Sequence, residues 1–320
     1  MLKDSEIMNR VENVIRHKQY SNKTETAYTD WIYRFITFTG RKNPNNLGEQ
    51  EIKNFLRFLA VEKGVSESTQ NQALNAIVFF YKYILQISIK SSELMNIHSG
   101  KKLPLVLERD KIQKILDQLN GEKRLMVSLL YGSGLRLMEC LNLRIRDIDF
   151  KLNKLIIRDE KENTERKTIL PNILKPALKR QVEKAKIKFE ENNTLKEFSG
   201  APVSESNKKK YPKACKNCDW QFIFPSVKLR ENPFTKKLVQ YHKHASYLQK
   251  AIKTAVKKSK INRNVSCNTF RHSFAAHLLE DGYDVHAVQE LLGHKDVRTT
   301  MKYNQILNKN RLNVHSPLDF

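Results

Sequence analysis

Cysteine is scarce. Only Cys140, Cys215, Cys218 and Cys267 occur in 320 residues. That is too few for the disulfide framework of a secreted scaffold. No stretch approaches the ~18 apolar residues of a membrane-spanning helix. The opening MLKDSEIMNRVENVIRHKQY has no apolar core of signal-peptide length. No internal repeat is found. These absences lead to the expectation of a reduced, cytoplasmic protein. Acidic residues are also few, 34 against 58 lysines and arginines, which leaves a formal charge of +24. The usual partners of such an excess are nucleic acid or an anionic membrane.

The charge is uneven. Residues 1–100 hold 13 basic and 10 acidic side chains, a net of +3, whereas 101–320 hold 45 and 24, a net of +21. The second part carries the positive field. A chain neutralising many phosphates gains affinity by counterion release and loses it steeply with salt.

The length suffices for two domains with their own cores. From Ser5 to about Gln86 the pattern is helical. In ESTQNQALNAIVFFYKYIL the apolar residues Leu74, Ile77, Val78, Tyr81, Ile84 and Leu85 form one helical face. GEQEIKNFLRFLAVEKG is a second helix that stops at Gly64, and Trp31, Tyr33, Phe35 and Phe38 belong to an earlier one. A helical domain is expected over 1–95, then a linker at 96–105 around NIHSGKKLP, then a second domain over 106–320. In that domain Ile112, Ile115, Leu116 and Leu119 mark a helix. EKRLMVSLLYG and LRLMECLNL flank a Gly-Ser-Gly break. KLIIR and KTILP around the charged loop DEKENTER predict a β-hairpin. Helices follow near 172–190, 241–260, 269–281 and 284–292. The expected class is mainly α with a small β-sheet. Residues 192–221 read as a polar insertion.

Some residues carry chemistry. Arg136 follows the glycine break at a helix start, where a guanidinium and a helix N-terminus both favour a phosphate. Its plain reading is a surface pair with Glu139. Arg271 and His272 open another helix, with His277 further along. A histidine on a helix is more often a satisfied core or surface residue than a catalyst. His294 precedes Tyr303 by nine residues in LLGHKDVRTTMKY. A tyrosine hydroxyl, with a reference pKa of ~10, is a poor nucleophile unless cationic donors stabilise the charge that develops.

The ordered motifs GSGLRLMECLNLRIRDIDF, a hairpin lysine, TFRHSFAAHLLEDG and VQELLGHKDVRTTMKY resemble the tyrosine recombinase (phage integrase) family. The resemblance covers nearly the whole chain. It implies a helical core-binding domain in front of a mixed α/β catalytic domain. It also implies a site-specific recombinase working through a covalent 3′-phosphotyrosine. By matching position, Arg136 and Arg271 are the phosphate-clamping arginines and Glu139 orients the first. Lys161 is the lysine that protonates the leaving 5′-oxygen. His294 is the last-box histidine and Tyr303 the nucleophile. Four protomers on two DNA sites are implied, and neither metal, ATP nor other cofactor is needed. Two positions depart from the pattern. The second box usually reads His-x-x-Arg, but here Asn268 stands in the histidine's place. Asparagine can hydrogen-bond a phosphate oxygen but cannot take or give a proton as histidine can. The hairpin lysine lies between Glu160 and Glu162 instead of glycines, which leaves Lys154 and Lys167 as alternatives.

KYPKACKNCDWQFIFPS, YHKHASYLQKAIKTAVKKSKI and the terminal SPLDF are similar to integron integrases, which implies recombination of gene cassettes at folded single-stranded hairpins. Unpaired bases call for exposed aromatics beside cations. Trp220, Tyr211, His242 and His244, beside Lys208, Lys209 and Lys210, have that composition. The alternative is that Trp220 and Phe222 pack the insertion onto the core, the reading favoured for Phe222. Cys215, Cys218, His242 and His244 could also be weighed as zinc ligands, but the His-x-His spacing argues against it, and no metal is expected. The tail 308–320 is expected to pack on a neighbouring protomer through Leu312, Val314, Leu318 and Phe320.

Overall fold

The computed structural model describes residues 4–40, 47–89, 103–159, 164–233 and 235–308. The chain divides into two compact units, Met1–Lys102 and Leu103–Phe320.

The first unit holds α1 (Asp4–His17), α2 (Asn22–Phe38), α3 (Glu49–Val61) and α4 (Glu67–Phe80). Ser21 and Ser66 start α2 and α4 by accepting from the Thr24 and Thr69 amides, which satisfies donors that a helix start leaves open. Leu74, Ile77, Tyr81 and Ile84 are buried as their spacing predicts, against Ile32, Phe35, Ile52 and Phe55. The helix does not stop after Phe80. It widens into a π-turn, Tyr81–Leu85, which seats the Tyr81 hydroxyl on the Leu47 carbonyl at 3.1 Å. Tyr33 and Phe38 are exposed.

The second unit begins with α5 (Arg109–Asp117), α6 (Gly121–Gly132) and α7 (Leu137–Asn142). Ile112, Ile115, Leu116 and Leu119 enter its core. Strands β1 (Ile148–Asp149), β2 (Lys154–Asp159) and β3 (Thr164–Ile169) form an antiparallel sheet in the order β1-β2-β3. The hairpin is present, but its second strand is shifted from the expected 167–171. Thr164, Glu165 and Arg166 are strand, not loop, with Arg166 opposite Ile157 and Thr168 opposite Leu155. Leu155, Ile157 and Thr168 are buried. Paired residues share a face, so Arg166 occupies an inward position where alternation calls for an apolar residue. Lys161 lies outside the described residues; Lys154 and Lys167 are both exposed.

Next come α8 (Lys175–Asn193), the short α9 (Glu205–Lys210), β4 (Arg230–Glu231) and β5 (Leu238–Val239), the last two paired. The segment expected to be a polar insertion is a folded lobe. Phe198, Val203, Ala214 and Trp220 are buried in it. The Ile145 amide donates to the Gln221 carbonyl and the Ile223 amide to that of Leu143, which fastens the lobe to the core. At Gly200, φ is +89° and an added Cβ would lie 1.7 Å from the Cys215 carbonyl oxygen, so only glycine fits. The chain ends in α10 (Ala245–Lys258), α11 (Cys267–Glu280), α12 (Val285–Leu292) and α13 (Val297–Asn308). No helix among the described residues is long and apolar enough to cross a membrane. The tail beyond Asn308 lies outside the described residues.

Candidate active site

Helix α7 starts at Arg136, whose amide donates to Glu139 Oε2 at 2.7 Å while its guanidinium reaches Oε1 at 2.6 Å. Glu139 therefore closes the helix start and holds the Arg136 side chain, which is about half exposed. The expected Arg136–Glu139 pairing is present, and it is one arm of a larger cluster.

Arg166 reaches the same carboxylate from β3, with NH1 3.1 Å from Oε1 and NH2 2.8 Å from Oε2. Its Nε donates to the Leu291 carbonyl at 3.0 Å. This planar fork onto a carboxylate is the geometry for which arginine is suited. The contact explains the charge at an inward strand position. It also explains Gly293, the left-handed cap of α12, where an added Cβ would lie 2.5 Å from Arg166 Cδ.

Arg271 is buried on α11. It donates to the Gly134 carbonyl and to the Leu292 carbonyl, each at 2.6 Å, and approaches Glu139 at 3.5 Å. A guanidinium has five N–H donors, so these contacts fix its plane and leave donors for an anion. Three arginines thus converge on one carboxylate. Burial, then the neighbouring Arg136, lower the Arg271 pKa to about 10. Burial raises the Glu139 pKa, but Arg166, the Arg136 amide and Arg271 outweigh it and hold the carboxyl below its usual range. The cluster is a net cation in a sheltered place, suited to an anion such as a phosphodiester.

His294 follows the Gly293 turn, its Nδ1 2.9 Å from the buried Thr300 hydroxyl. Burial, then Arg271, Arg136, Arg166 and His272, lower its pKa to about 4. It is a neutral imidazole at pH 7, able to donate a hydrogen bond to an oxyanion through one nitrogen.

Tyr303 lies on α13, only 2% exposed, packed with Phe274, Val288 and Leu292. Burial raises its pKa, and Arg271 and Arg136 pull in the opposite direction. Its hydroxyl sits 2.7 Å from His272 Nδ1. Asn268 is exposed in the first turn of α11.

The fold thus gathers Arg136, Glu139, Arg271, His294 and Tyr303. Two residues of the cluster escape the sequence reading. The sequence presents Arg166 as part of a charged loop; an arginine opposite an apolar strand position is the signal for it. His272 has the look of an ordinary helical histidine in the sequence. Its position next to Arg271 is the clue.

The insertion residues are arranged differently from expectation. Trp220 is no exposed platform. Val203 and Ala214 pack with it, and the Arg146 guanidinium lies 4.0 Å from the ring centre. Phe222 is buried, as favoured. His242 is half-buried with its ring edge against Phe222 at 5.3 Å, and its Nδ1 meets the Lys243 carbonyl. His244 caps α10, accepting from the Ser246 amide at Nδ1. These two histidines serve packing and capping. Tyr211, Lys208, Lys209 and Lys210 are exposed together at the end of α9, with Lys208 paired to Glu205. Among the described residues, no group of three or more His, Cys, Asp or Glu side chains could hold a metal ion.

Residues 106–310 match the model described as the phage integrase family, and 7–91 match the phage integrase N-terminal SAM-like domain. An "Integrase/recombinase" of Escherichia coli is 37% identical over 319 residues, covering 99% of this chain and 94% of that protein. One of the same name from Pseudomonas aeruginosa has the same figures. A "Tyrosine recombinase" of Thermosipho africanus is 26% identical over 309 residues, covering 93% of each. The fold is similar to that of XerH site-specific recombinase bound to palindromic difH substrate, with a TM-score of 0.66 and 19% identity, covering 97% of this chain and 83% of that one. It is also similar to a lambda integrase dimer bound to a COC′ core site, with a TM-score of 0.61 and 14% identity, covering 97% and 79%. The chain belongs to the phage integrase family of tyrosine recombinases, enzymes that cleave and rejoin DNA strands.

Proposed function

We propose that this enzyme recombines DNA at specific sites by attack of Tyr303 on a phosphodiester, leaving a 3′-phosphotyrosine. The observation that carries this reading is the convergence of Arg136, Arg271 and His294 beside the Tyr303 hydroxyl, with Glu139 at the centre of the arginines. Arg136, Arg271 and His294 hold the charge that builds on the phosphate oxygens. Glu139 orients the arginines. Lys161 protonates the leaving 5′-oxygen, and the freed hydroxyl then attacks the partner strand. Asn268 donates a hydrogen bond to the phosphate. Both units contact the DNA, and four protomers join two sites on the nucleoid in the cytoplasm.

The substrates we propose are gene cassettes with sites folded from single strands, as in integrons. The folded lobe with Tyr211, Lys208, Lys209 and Lys210 on its surface favours this reading, because aromatic and cationic side chains together suit an unpaired base on a charged backbone. Trp220 supports the lobe from within, while His242 packs on Phe222 and His244 caps α10. A Xer-like resolvase acting on duplex sites is the second reading, favoured by relatives named "Tyrosine recombinase XerA" at 26% identity. The two separate on one experiment. A site selected by the protein from a random oligonucleotide pool is offered as a duplex and as its folded single strand. Preferred strand exchange on the hairpin, reduced by Tyr211→Ala, supports cassette recombination. Exchange on the duplex alone contradicts it.

A further inference from the structure

Proton traffic at Tyr303 needs a base. At pH 7 a phenol of pKa ~10 is ionised to about one part in a thousand, and burial raises Tyr303 further. Asn268, in the place where the second-box histidine is expected, cannot take a proton. His294 has its Nδ1 committed to Thr300. His272, in contrast, lies one residue beyond Arg271 on α11 and puts Nδ1 2.7 Å from the Tyr303 oxygen, within reach for direct transfer.

We propose that His272 is the general base of this enzyme, taking over from the residue that Asn268 replaces. This rests on Tyr303 being the nucleophile. In the step, the Tyr303 proton passes to His272 Nδ1 and the phenolic oxygen forms its bond to phosphorus. The bond from phosphorus to the 5′-oxygen breaks, and that oxygen takes a proton from Lys161. Ligation runs the same transfers backward, so no oxidant, reductant or other reactant enters.

The surroundings keep His272 proton-free and ready to accept. Burial, then Arg271 beside it on α11, lower its pKa below the ordinary 6.5. The other titratable groups facing it are Tyr303 of α13 and His294 of the turn after α12. Since the proton-free form acts, cleavage falls as pH drops below about 6.5 through this lowered value.

The test uses the full-length protein and a nicked duplex, selected from a random pool, that traps the covalent adduct. It is prepared twice, with oxygen and with sulfur as the scissile 5′-bridging atom. A sulfur leaving group needs no proton. His272→Asn keeps a polar group near the Nδ1 position but cannot take a proton. We expect it to bind DNA as the wild type does and to cleave at least ~100-fold more slowly at pH 7. We expect the loss on both substrates, with the acid limb of the pH profile gone. Lys161→Ala, by contrast, should be restored by sulfur. Adding Asn268→His to His272→Asn should return part of the rate, which a purely structural defect would not allow. A His272→Asn protein that cleaves as fast as the wild type or faster overturns the proposal, because the contact then idles or restrains Tyr303. So does a deficit erased by sulfur, which would place His272 on the leaving group. Wild-type protein without adduct, or Tyr303→Phe with one, overturns the nucleophile assignment and the proposal with it.

Discussion

Arg166 illustrates how one side chain connects strand, turn and site. It binds Glu139 with both terminal nitrogens and the Leu291 carbonyl with Nε, and its side chain is 13% exposed. Removing one partner of a buried pair costs about 3–5 kcal/mol. Glu139 keeps Arg136, so we expect Arg166→Ala to lose about 3 kcal/mol in urea unfolding. The same change frees the carboxylate that holds Arg136 and approaches Arg271. Charge-assisted hydrogen bonds are worth about 1.5–3 kcal/mol, so adduct formation should slow by roughly 10- to 100-fold while DNA affinity changes little. An Arg166→Ala protein with wild-type cleavage would remove Arg166 from the site. Legibility at this scale was uneven. Arg136, Arg271, His294 and Tyr303 stand in ordered motifs, and the fold brings them close to one another. Arg166 stands in a stretch that the sequence presents as a charged loop, and His272 on a helix where a histidine is ordinary. Their partners lie 27 and 31 residues away in sequence, so the local clues, an arginine opposite an apolar strand position and a histidine next to Arg271, do not name them.

At the scale of elements, turns set the site. Gly134 has φ of +63°, and a Cβ there would lie 2.5 Å from Phe274 Cδ1, while its carbonyl accepts from Arg271. Gly134→Ala should cost about 1–2 kcal/mol in backbone strain alone. The overlap with Phe274 should add to this and turn Arg271 off its plane, lowering both melting temperature and cleavage. The turn after α12 also carries a pH signature. The folded His294 pKa is about 4 against 6.5 unfolded, so the unfolded chain binds the extra proton first on acidification. Stability from this group is complete above pH 6.5 and declines as pH falls toward 4. His294→Asn should flatten that part of the urea stability profile. An unchanged profile would mean that His294 is not buried neutral. The hairpin was legible as an element, but its register was not. Apolar alternation placed the second strand at KTILP, and pairing against β2 drew in Thr164, Glu165 and Arg166 instead.

For the whole molecule, the lopsided charge governs binding. The net +21 of residues 101–320 should make DNA affinity fall by about 1,000-fold between 50 and 200 mM salt if about six phosphates are neutralised. A flat salt dependence in filter binding would contradict the phosphate-contact account. The helical class was readable from periodicity, but the lobe between α8 and α10 was not. Its lysines and asparagines lie at the surface, and the few apolar residues that fold it, Phe198, Val203, Ala214 and Trp220, are too scattered to form a periodic signal. The most direct measurement of the central claim is covalent trapping. Wild-type protein is incubated with a nicked, labelled site and denatured, with Tyr303→Phe alongside. A protein–DNA band that survives denaturation and disappears in Tyr303→Phe is the predicted result. DNA binding without any such band, or a band that persists in Tyr303→Phe, would contradict it.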